Sequence, residues 1–271
     1  MYTGYHSYHE HHGAHLNKPI VNGQPYMMGV ELETVFPDSE DRNDWCDEVQ
    51  SNWFYMERDG SLPGGGCEII STPLAPKDAK NPSTWYPLVK ALRDAGARSC
   101  KDRTTGLHVH ISKEVFGSSA QAQSDGIGRL LYFYYYVLSE DTREAVFARR
   151  STSYAHDLDK RYATKTAAAD TLKVALKYKE VRDEVGKELA SLVRRDRYHS
   201  INIDPNNPTI EFRQGKGSIN NRRIAAICEF VEACCLYVKR NTDYTEYSEA
   251  RFLETLKEDG VCKTYYFDDE K

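Results

Sequence analysis

Three short segments, far apart in the sequence, carry residue types that bind metals or stabilise negative charge. They read Val30-Glu31-Leu32-Glu33, Leu107-His108-Val109-His110-Ile111 and Ile210-Glu211-Phe212-Arg213. Each alternates apolar and polar residues, the period of a half-buried β-strand, so that its polar side chains point to one face. If the three strands pair, one face of the sheet carries carboxylates, imidazoles and a guanidinium. That arrangement is typical of a metal-dependent active site.

Carboxylates that crowd one face of a sheet need either a raised pKa or a cation among them. Side chains two residues apart on a strand lie about 7 Å apart, and two carboxylates at that separation repel by about 2 kcal/mol at an effective dielectric of 20. Glu31, Glu33, Glu68 and Glu211 would add such costs together. Carboxylates with an imidazole favour Mg²⁺ or Mn²⁺. Each motif alone is typical of a solvated strand, and their joint occurrence favours a site.

Arg213 lies two residues after Glu211 and indicates a phosphate. A fixed guanidinium beside metal-binding carboxylates neutralises charge during phosphoryl transfer. The sequence has no P-loop, so any nucleotide site would be of another kind.

Composition favours a globular protein of the reducing cytoplasm. The 271 residues are 40% hydrophobic and 28% charged, and the net charge of −5 argues against a nucleic-acid partner. No apolar run is long enough for a membrane helix, and no secretory signal is visible. The seven cysteines include no CxxC pair.

The order of predicted elements favours an α+β fold in which an antiparallel sheet is backed by helices. We expect a flexible tail over residues 1–26, with five of the nine histidines, and a single domain over 27–271 with a helical insertion around 125–195. Ser83 is the predicted cap of a helix ending near residue 95. Longer helices are predicted over 127–149 and 172–194. Residues 198–204 should form a hairpin with the Glu211 strand.

Taken together and in order, these motifs resemble the amidoligase family, part of the carboxylate–amine ligase superfamily that includes glutamine synthetase and glutamate–cysteine ligase. The resemblance spans roughly residues 28–240. It rests on Gly29-Val30-Glu31-Leu32-Glu33, Asp59-Gly60-Ser61-Leu62, Glu68-Ile69-Ile70-Ser71-Thr72-Pro73-Leu74, Gly106-Leu107-His108-Val109-His110-Ile111-Ser112, Asn202, and Thr209-Ile210-Glu211-Phe212-Arg213 with Gly217-Ser218.

The resemblance implies a glutamine-synthetase-like catalytic domain, whose curved antiparallel sheet forms a cleft for ATP and Mg²⁺. It assigns Glu33 and Glu68, with Asp59 nearby, to a first metal position.

It assigns Glu31, His108 and Glu211 to a second metal position, which bridges the nucleotide phosphates. Arg213 matches the arginine that stabilises the transferred phosphoryl group. The nucleotide- and substrate-contacting positions are matched by His110, Ser112 and Asn202.

The implied activity is ATP-dependent formation of an amide or isopeptide bond through an acyl-phosphate, with an amino acid or peptide as substrate. Two alternatives stay open at this point. The same metals could serve a hydrolase of phosphoesters or amides, or the polar face could grip a ligand without catalysis.

Overall fold

The computed structural model describes residues 25–49, 51–99, 105–157, 190, 198–204 and 206–260, together with Tyr5–His6. The chain forms two compact units. The first comprises Met1–Ile111 and Gly215–Glu229, and the second Ser112–Gln214 and Phe230–Lys271. Each is described separately.

The first unit is built on a sheet of mostly antiparallel strands. These are β1 (Tyr5–His6), β2 (Met28–Val35), β3 (Phe54–Glu57), β4 (Gly66–Ser71) and β5 (Gly106–Ser112), whose last residue belongs to the second unit. Their order is β1-β3-β4-β2-β5, and only the β1–β3 pair is parallel. Strand β2, which carries Glu31 and Glu33, therefore has a neighbouring strand on each side, β4 and β5.

The alternation in β2 and β5 separates an apolar face from a polar one. Val30 and Leu32 are 2% and 1% exposed, and Leu107 and Val109 are fully buried. Because successive side chains point to opposite faces, burying these residues directs Glu31 and its cross-strand partner away from them. The hydrophobic pattern thus fixes the face on which the polar groups lie.

Among the described residues, three helices lie entirely within the same unit: α1 (Ser39–Glu48), α2 (Pro76–Ala79) and α3 (Pro82–Asp94). Helix α3 buries Trp85, Leu88, Val89 and Leu92, the spacing of one helical face. The prediction that Ser83 caps this helix is wrong. The cap is Asn81, whose side chain accepts a hydrogen bond from the Ser83 N–H at 3.0 Å. Proline suits the first helical position because the N–H it lacks would be unpaired there, so the helix starts earlier, at Pro82.

In the second unit, the helix predicted over residues 127–149 is broken into three parts. Helix α4 (Ala120–Tyr132) continues into a π-helical turn at Phe133–Val137, and α5 (Glu140–Phe147) follows. The break occurs at Leu138, whose backbone is extended, and at Ser139, whose hydroxyl accepts from the Thr142 N–H at 3.1 Å and caps α5. Periodicity alone did not reveal the break, because Leu138 and the aromatic residues before it are apolar throughout.

Strands β6 (Ile201–Asn202) and β7 (Thr209–Lys216) form the predicted hairpin, with Asn202 opposite Glu211. The chain leaves this unit at Gly215, near the end of β7, and re-enters it within helix α6 (Asn221–Arg240). Helix α7 (Glu249–Glu258) closes the described part of the chain. An aromatic core packs here, with Phe133 in ring contact with Tyr237 at 4.9 Å and with Phe252 at 5.0 Å.

These elements confirm the α+β class with an antiparallel sheet. The single-domain organisation stays a prediction. Apart from Tyr5–His6 and the residues from 25 onwards, the expected tail lies outside the described residues, and so does the helix predicted over 172–194 except for residue 190. Within the described chain, no helix has the length and apolar character that a membrane span requires.

Candidate functional site

Two carboxylates and an imidazole converge in the first unit. One ligand atom each of Glu33, Glu68 and His108 lies within 4.8 Å of the other two. All three residues are buried, between 5% and 7% exposed. Buried acidic groups this close repel one another strongly unless a cation is shared among them. The cluster is therefore a candidate metal site.

Strand register builds this cluster. Glu33 on β2 lies directly opposite Glu68 on β4, and Glu31 lies directly opposite His108 on β5. Side chains of directly opposed residues are neighbours on one face of the sheet. The sequence prediction that the Glu-x-Glu and His-x-His strands pair is confirmed for β2 and β5.

Glu31 is held between two imidazoles. Its Oε2 lies 3.2 Å from His108 Nδ1, and its Oε1 lies 2.9 Å from His110 Nε2. Burial raises the pKa of the Glu31 carboxyl, but the charge and hydrogen bonds of His110 and His108 outweigh burial and hold that pKa well below its usual range. Glu31 is therefore a carboxylate at neutral pH, ready to orient both imidazoles or to bind a cation.

The backbone around Gly106 fixes Glu33. The Gly106 N–H donates a short hydrogen bond to Glu33 Oε2, and the Ser99 hydroxyl donates to the Glu33 carbonyl at 3.1 Å. A Cβ at position 106 would lie 2.8 Å from His108 Nε2 and 3.3 Å from Glu33 Oε2. Glycine is thus required at this position to leave room for two of the three groups.

The donor set and its spacing fit Mg²⁺ or Mn²⁺. Two ligands of one Mg²⁺ ion lie at most about 4.2 Å apart, since each bond is about 2.1 Å long. The observed limit of 4.8 Å requires only small side-chain adjustments. The two carboxylates are the hard oxygen donors that these ions prefer, and the cluster has no thiolate and only one imidazole, the donors that would favour Zn²⁺.

The sequence analysis missed Glu57, and the structure gives Asp59 a different surrounding from Glu33 and Glu68. Glu57 ends β3, is fully buried and lies opposite Glu68, which makes it the third glutamate in one cross-strand row with Glu33. The available signal was its position two residues after Tyr55, the spacing of side chains on one face of a strand. Asp59 lies in the following turn, where its Oδ1 accepts from the Ser61 N–H at 2.7 Å. The metal role of Asp59 stays a prediction.

The second unit groups three further predicted residues on its hairpin. Arg213 Nη1 forms a short ion pair with Glu211 Oε1, and Asn202 Nδ2 donates to Glu211 Oε2 at 2.8 Å. The Glu211 and Arg213 side chains are 9% and 19% exposed. A carboxylate held by a guanidinium and an amide is fixed in one orientation. Ser112, also in this unit, is the half-buried last residue of β5.

Comparison with protein families identifies the class of protein. The sequence profile described as "Putative amidoligase enzyme" matches residues 38–235, more than two-thirds of the chain. The protein therefore belongs to the amidoligase family, as the sequence motifs predicted. The match begins after β2, so Glu31 and Glu33 precede the matched segment.

Comparison with solved structures gives distant similarities. A structure titled "Apo GmaS without ligand" has a TM-score of 0.39 at 11% identity over 88% of this chain and 64% of its own. A bifunctional glutathione synthetase from Pasteurella multocida has a TM-score of 0.37 at 10% identity over 87% of this chain and 45% of its own. The chain thus spans less than two-thirds of the length of either structure. A search among curated proteins returned no match.

Proposed function

We propose that this protein is an ATP-dependent carboxylate–amine ligase that forms an amide or isopeptide bond on an amino acid or peptide. The observation that carries the proposal is the buried cluster of Glu33, Glu68 and His108 in a member of the amidoligase family. The fixed Arg213 supports it further, because a guanidinium suits a phosphoryl group.

The carboxylates and imidazoles would hold divalent metal ions. Glu33 and Glu68 are assigned to the first metal, while Glu31, His108 and Glu211 are assigned to the second by the sequence resemblance. When bound, such ions neutralise phosphate charge and allow a carboxylate to approach a triphosphate. The contact of His108 with Glu31 and its place beside Glu33 and Glu68 support a role at both positions.

The proposed reaction has two steps. The γ-phosphoryl group of ATP is transferred to the substrate carboxylate, which gives ADP and an acyl-phosphate. An amine then attacks the acyl carbon, inorganic phosphate leaves, and an amide remains. Arg213 would stabilise the phosphoryl group in transfer, and Asn202 would keep Glu211 from rotating away from it. His110 orients Glu31 through its contact at 2.9 Å, and the resemblance also assigns it, with Ser112 and Asn202, to nucleotide or substrate contacts.

The test is ADP release from Mg-ATP in the presence of pooled carboxylic acids and amines, followed by mass spectrometry of the products. Glu33→Gln and Arg213→Ala should each abolish ADP release, whereas Glu40→Gln, a change at an exposed residue of α1, should not. Absence of both ADP release and nucleotide binding would refute the proposal. Cleavage of a phosphoester without nucleotide would indicate the hydrolase instead.

A further inference from the structure

A ring of contacts in the second unit surrounds the backbone of Arg213. It consists of hydrogen bonds, a cation–π contact between Arg143 and Tyr134, and a close approach of Ser200 to Asp157. We propose that Arg149, together with Gln214 and Tyr134, positions Arg213 through this ring. The inference deepens the proposed function and rests on it, because it assigns positioning residues to the arginine that would contact the phosphoryl group.

Arg149 bridges two consecutive carbonyl groups of β7. Its Nη2 donates to the Arg213 carbonyl at 3.1 Å and its Nε to the Gln214 carbonyl at 3.2 Å. Gln214 forms a hydrogen bond in the opposite direction, because its side-chain amide donates to the Arg149 carbonyl at 2.9 Å. The planar guanidinium can bridge both carbonyls at once, which a lysine ammonium on a flexible stem does less well. These reciprocal hydrogen bonds between Arg149 and Gln214 hold β7 in place at Arg213, whose guanidinium would contact the phosphoryl group.

Buried aromatic and charged side chains hold Gln214, the partner of Arg149, in place. Gln214 is fully buried, and its amide oxygen accepts a short hydrogen bond from the Tyr134 hydroxyl. The guanidinium carbon of Arg143 lies 5.1 Å from the centre of the Tyr134 ring. Arg143 is itself only 3% exposed and holds Asp157 through two parallel hydrogen bonds, one of them 2.7 Å long. A bidentate pair of this kind has little freedom to rotate.

The ring closes on the other side of Arg213. The Ser200 hydroxyl donates to the Ala155 carbonyl at 3.1 Å and also lies 3.4 Å from Asp157 Oδ1. The Ser200 carbonyl in turn accepts from the Arg213 N–H at 2.8 Å. The N–H and the C=O of Arg213 are therefore both held, one through Ser200 and the other through Arg149. Networks in a low-dielectric interior act as units, so removing one member is felt by the others.

The neighbouring arginine provides a matched control. Ala148 ends α5 in the left-handed conformation, with φ of 54°, and is followed by Arg149 and Arg150, whose surroundings differ. Arg149 on one side of the ring is half-buried, whereas the Arg150 side chain is 55% exposed and pairs with Glu144 and Asp141 on α5. The same substitution at Arg150 therefore makes the same chemical change, and keeps the positive charge, without touching the ring.

The experiment compares Arg149→Lys with Arg150→Lys in the full-length protein, by two measurements. The first is hydrogen exchange of the β6–β7 hairpin, which is independent of activity. Exchange at the Arg213 amide should accelerate in Arg149→Lys and stay at the wild-type rate in Arg150→Lys. The second is the kinetics of ADP formation. Arg149→Lys should lower kcat about 10- to 100-fold with a nearly unchanged KM for ATP, because a misplaced group mainly loses transition-state contacts.

Tyr134→Phe is the second variant, since it removes one hydroxyl and keeps the buried ring. Its effect on kcat should be smaller than that of Arg149→Lys, and the double variant should lose less than the product of the two, because both act through Gln214. Unchanged exchange in Arg149→Lys would overturn the inference whether or not the protein is an active ligase. Faster exchange with unchanged kcat would overturn the positioning role. Faster exchange in a protein whose wild type neither forms ADP nor binds nucleotide would support these contacts and refute the proposed function alone.

Discussion

Replacing Gly106 by alanine tests whether Glu33 and His108 form one metal site. The new Cβ would lie 2.8 Å from His108 Nε2, and 3.3 Å from both His108 Cδ2 and Glu33 Oε2. Carbon contacts are favourable near ~3.5 Å, so the imidazole must retreat by about 0.7 Å. The ring has limited freedom to do so, because its other nitrogen lies 3.2 Å from Glu31.

The expected cost falls on metal binding. Displacing the partners that orient metal ligands lowers metal affinity by about 10- to 100-fold, which corresponds to ~1.4–2.7 kcal/mol. Gly29→Ala is the matched control, since Gly29 also lies on a strand of the same sheet and is opposite His110. A Cβ there would meet Ser71 Oγ at 3.7 Å and His110 Cβ at 3.9 Å, which are ordinary contacts.

The measurement is titration of each purified variant with Mn²⁺, followed calorimetrically or by the signal of free Mn²⁺. Gly106→Ala should bind about 10- to 100-fold more weakly than the wild type. Gly29→Ala should bind as the wild type does. Equal affinity in the wild type and in Gly106→Ala would refute the assignment of His108 and Glu33 to a common ion.

Three further predictions concern stability and reactivity. Gly126→Ala should destabilise the fold by about 1–3 kcal/mol in thermal unfolding, although alanine favours helices, because its Cβ would lie 2.1 Å from the Phe116 ring; wild-type stability would contradict the packing of α4. Glu249 accepts hydrogen bonds from the Ser139 N–H and hydroxyl at 2.9 and 2.7 Å. Burial raises the pKa of Glu249, but hydrogen bonds from Thr142 and Ser139, together with the charge of Arg143, outweigh burial and lower this pKa below its ordinary value of 4.5. The charge therefore stabilises the fold above pH 4.5, and Glu249→Gln should cost roughly 0.5–1 kcal/mol at pH 7, a difference lost as the pH falls through the lowered pKa; a difference independent of pH would count against it. Burial, and after it the neighbouring thiol of Cys46 on α1, raises the pKa of Cys67 well above its usual range. The Cys67 thiol should therefore resist Ellman's reagent until the protein unfolds, and rapid labelling of Cys67 in the native state would contradict its burial.

The face that the polar residues share was accessible from sequence, because the two-residue period of a strand decides it. Burial of Val30, Leu32, Leu107 and Val109 puts the polar residues of β2 and β5 together on the opposite face, whereas the register of the two strands comes from the structure. The hairpin of β6 and β7 followed from two alternating runs around a turn. Patterns of this kind are strong because a shift by one residue would exchange the two faces.

Contacts between side chains and the backbone were not accessible. The Gly106 N–H on Glu33 and the Arg149 guanidinium on β7 depend on segments far apart in sequence, and neither follows from a period. The helix break at Ser139 was hidden by the unbroken run of aromatic and apolar residues before it, from Tyr132 to Leu138. Glu57 was missed because the motif Asp59-Gly60-Ser61-Leu62 begins two residues after it and does not include it.

The most direct test of the proposed ligase is a mass balance with Mg-ATP. The protein is incubated with a library of amino acids and peptides, and ADP, phosphate and condensed products are quantified together. A carboxylate–amine ligase should form a product whose mass is the sum of an acid and an amine less one water, in equal amount with ADP and phosphate, and Glu33→Gln should lose this product. ATP consumption without any condensed product, or a condensed product formed equally well by Glu33→Gln, would contradict the proposed function.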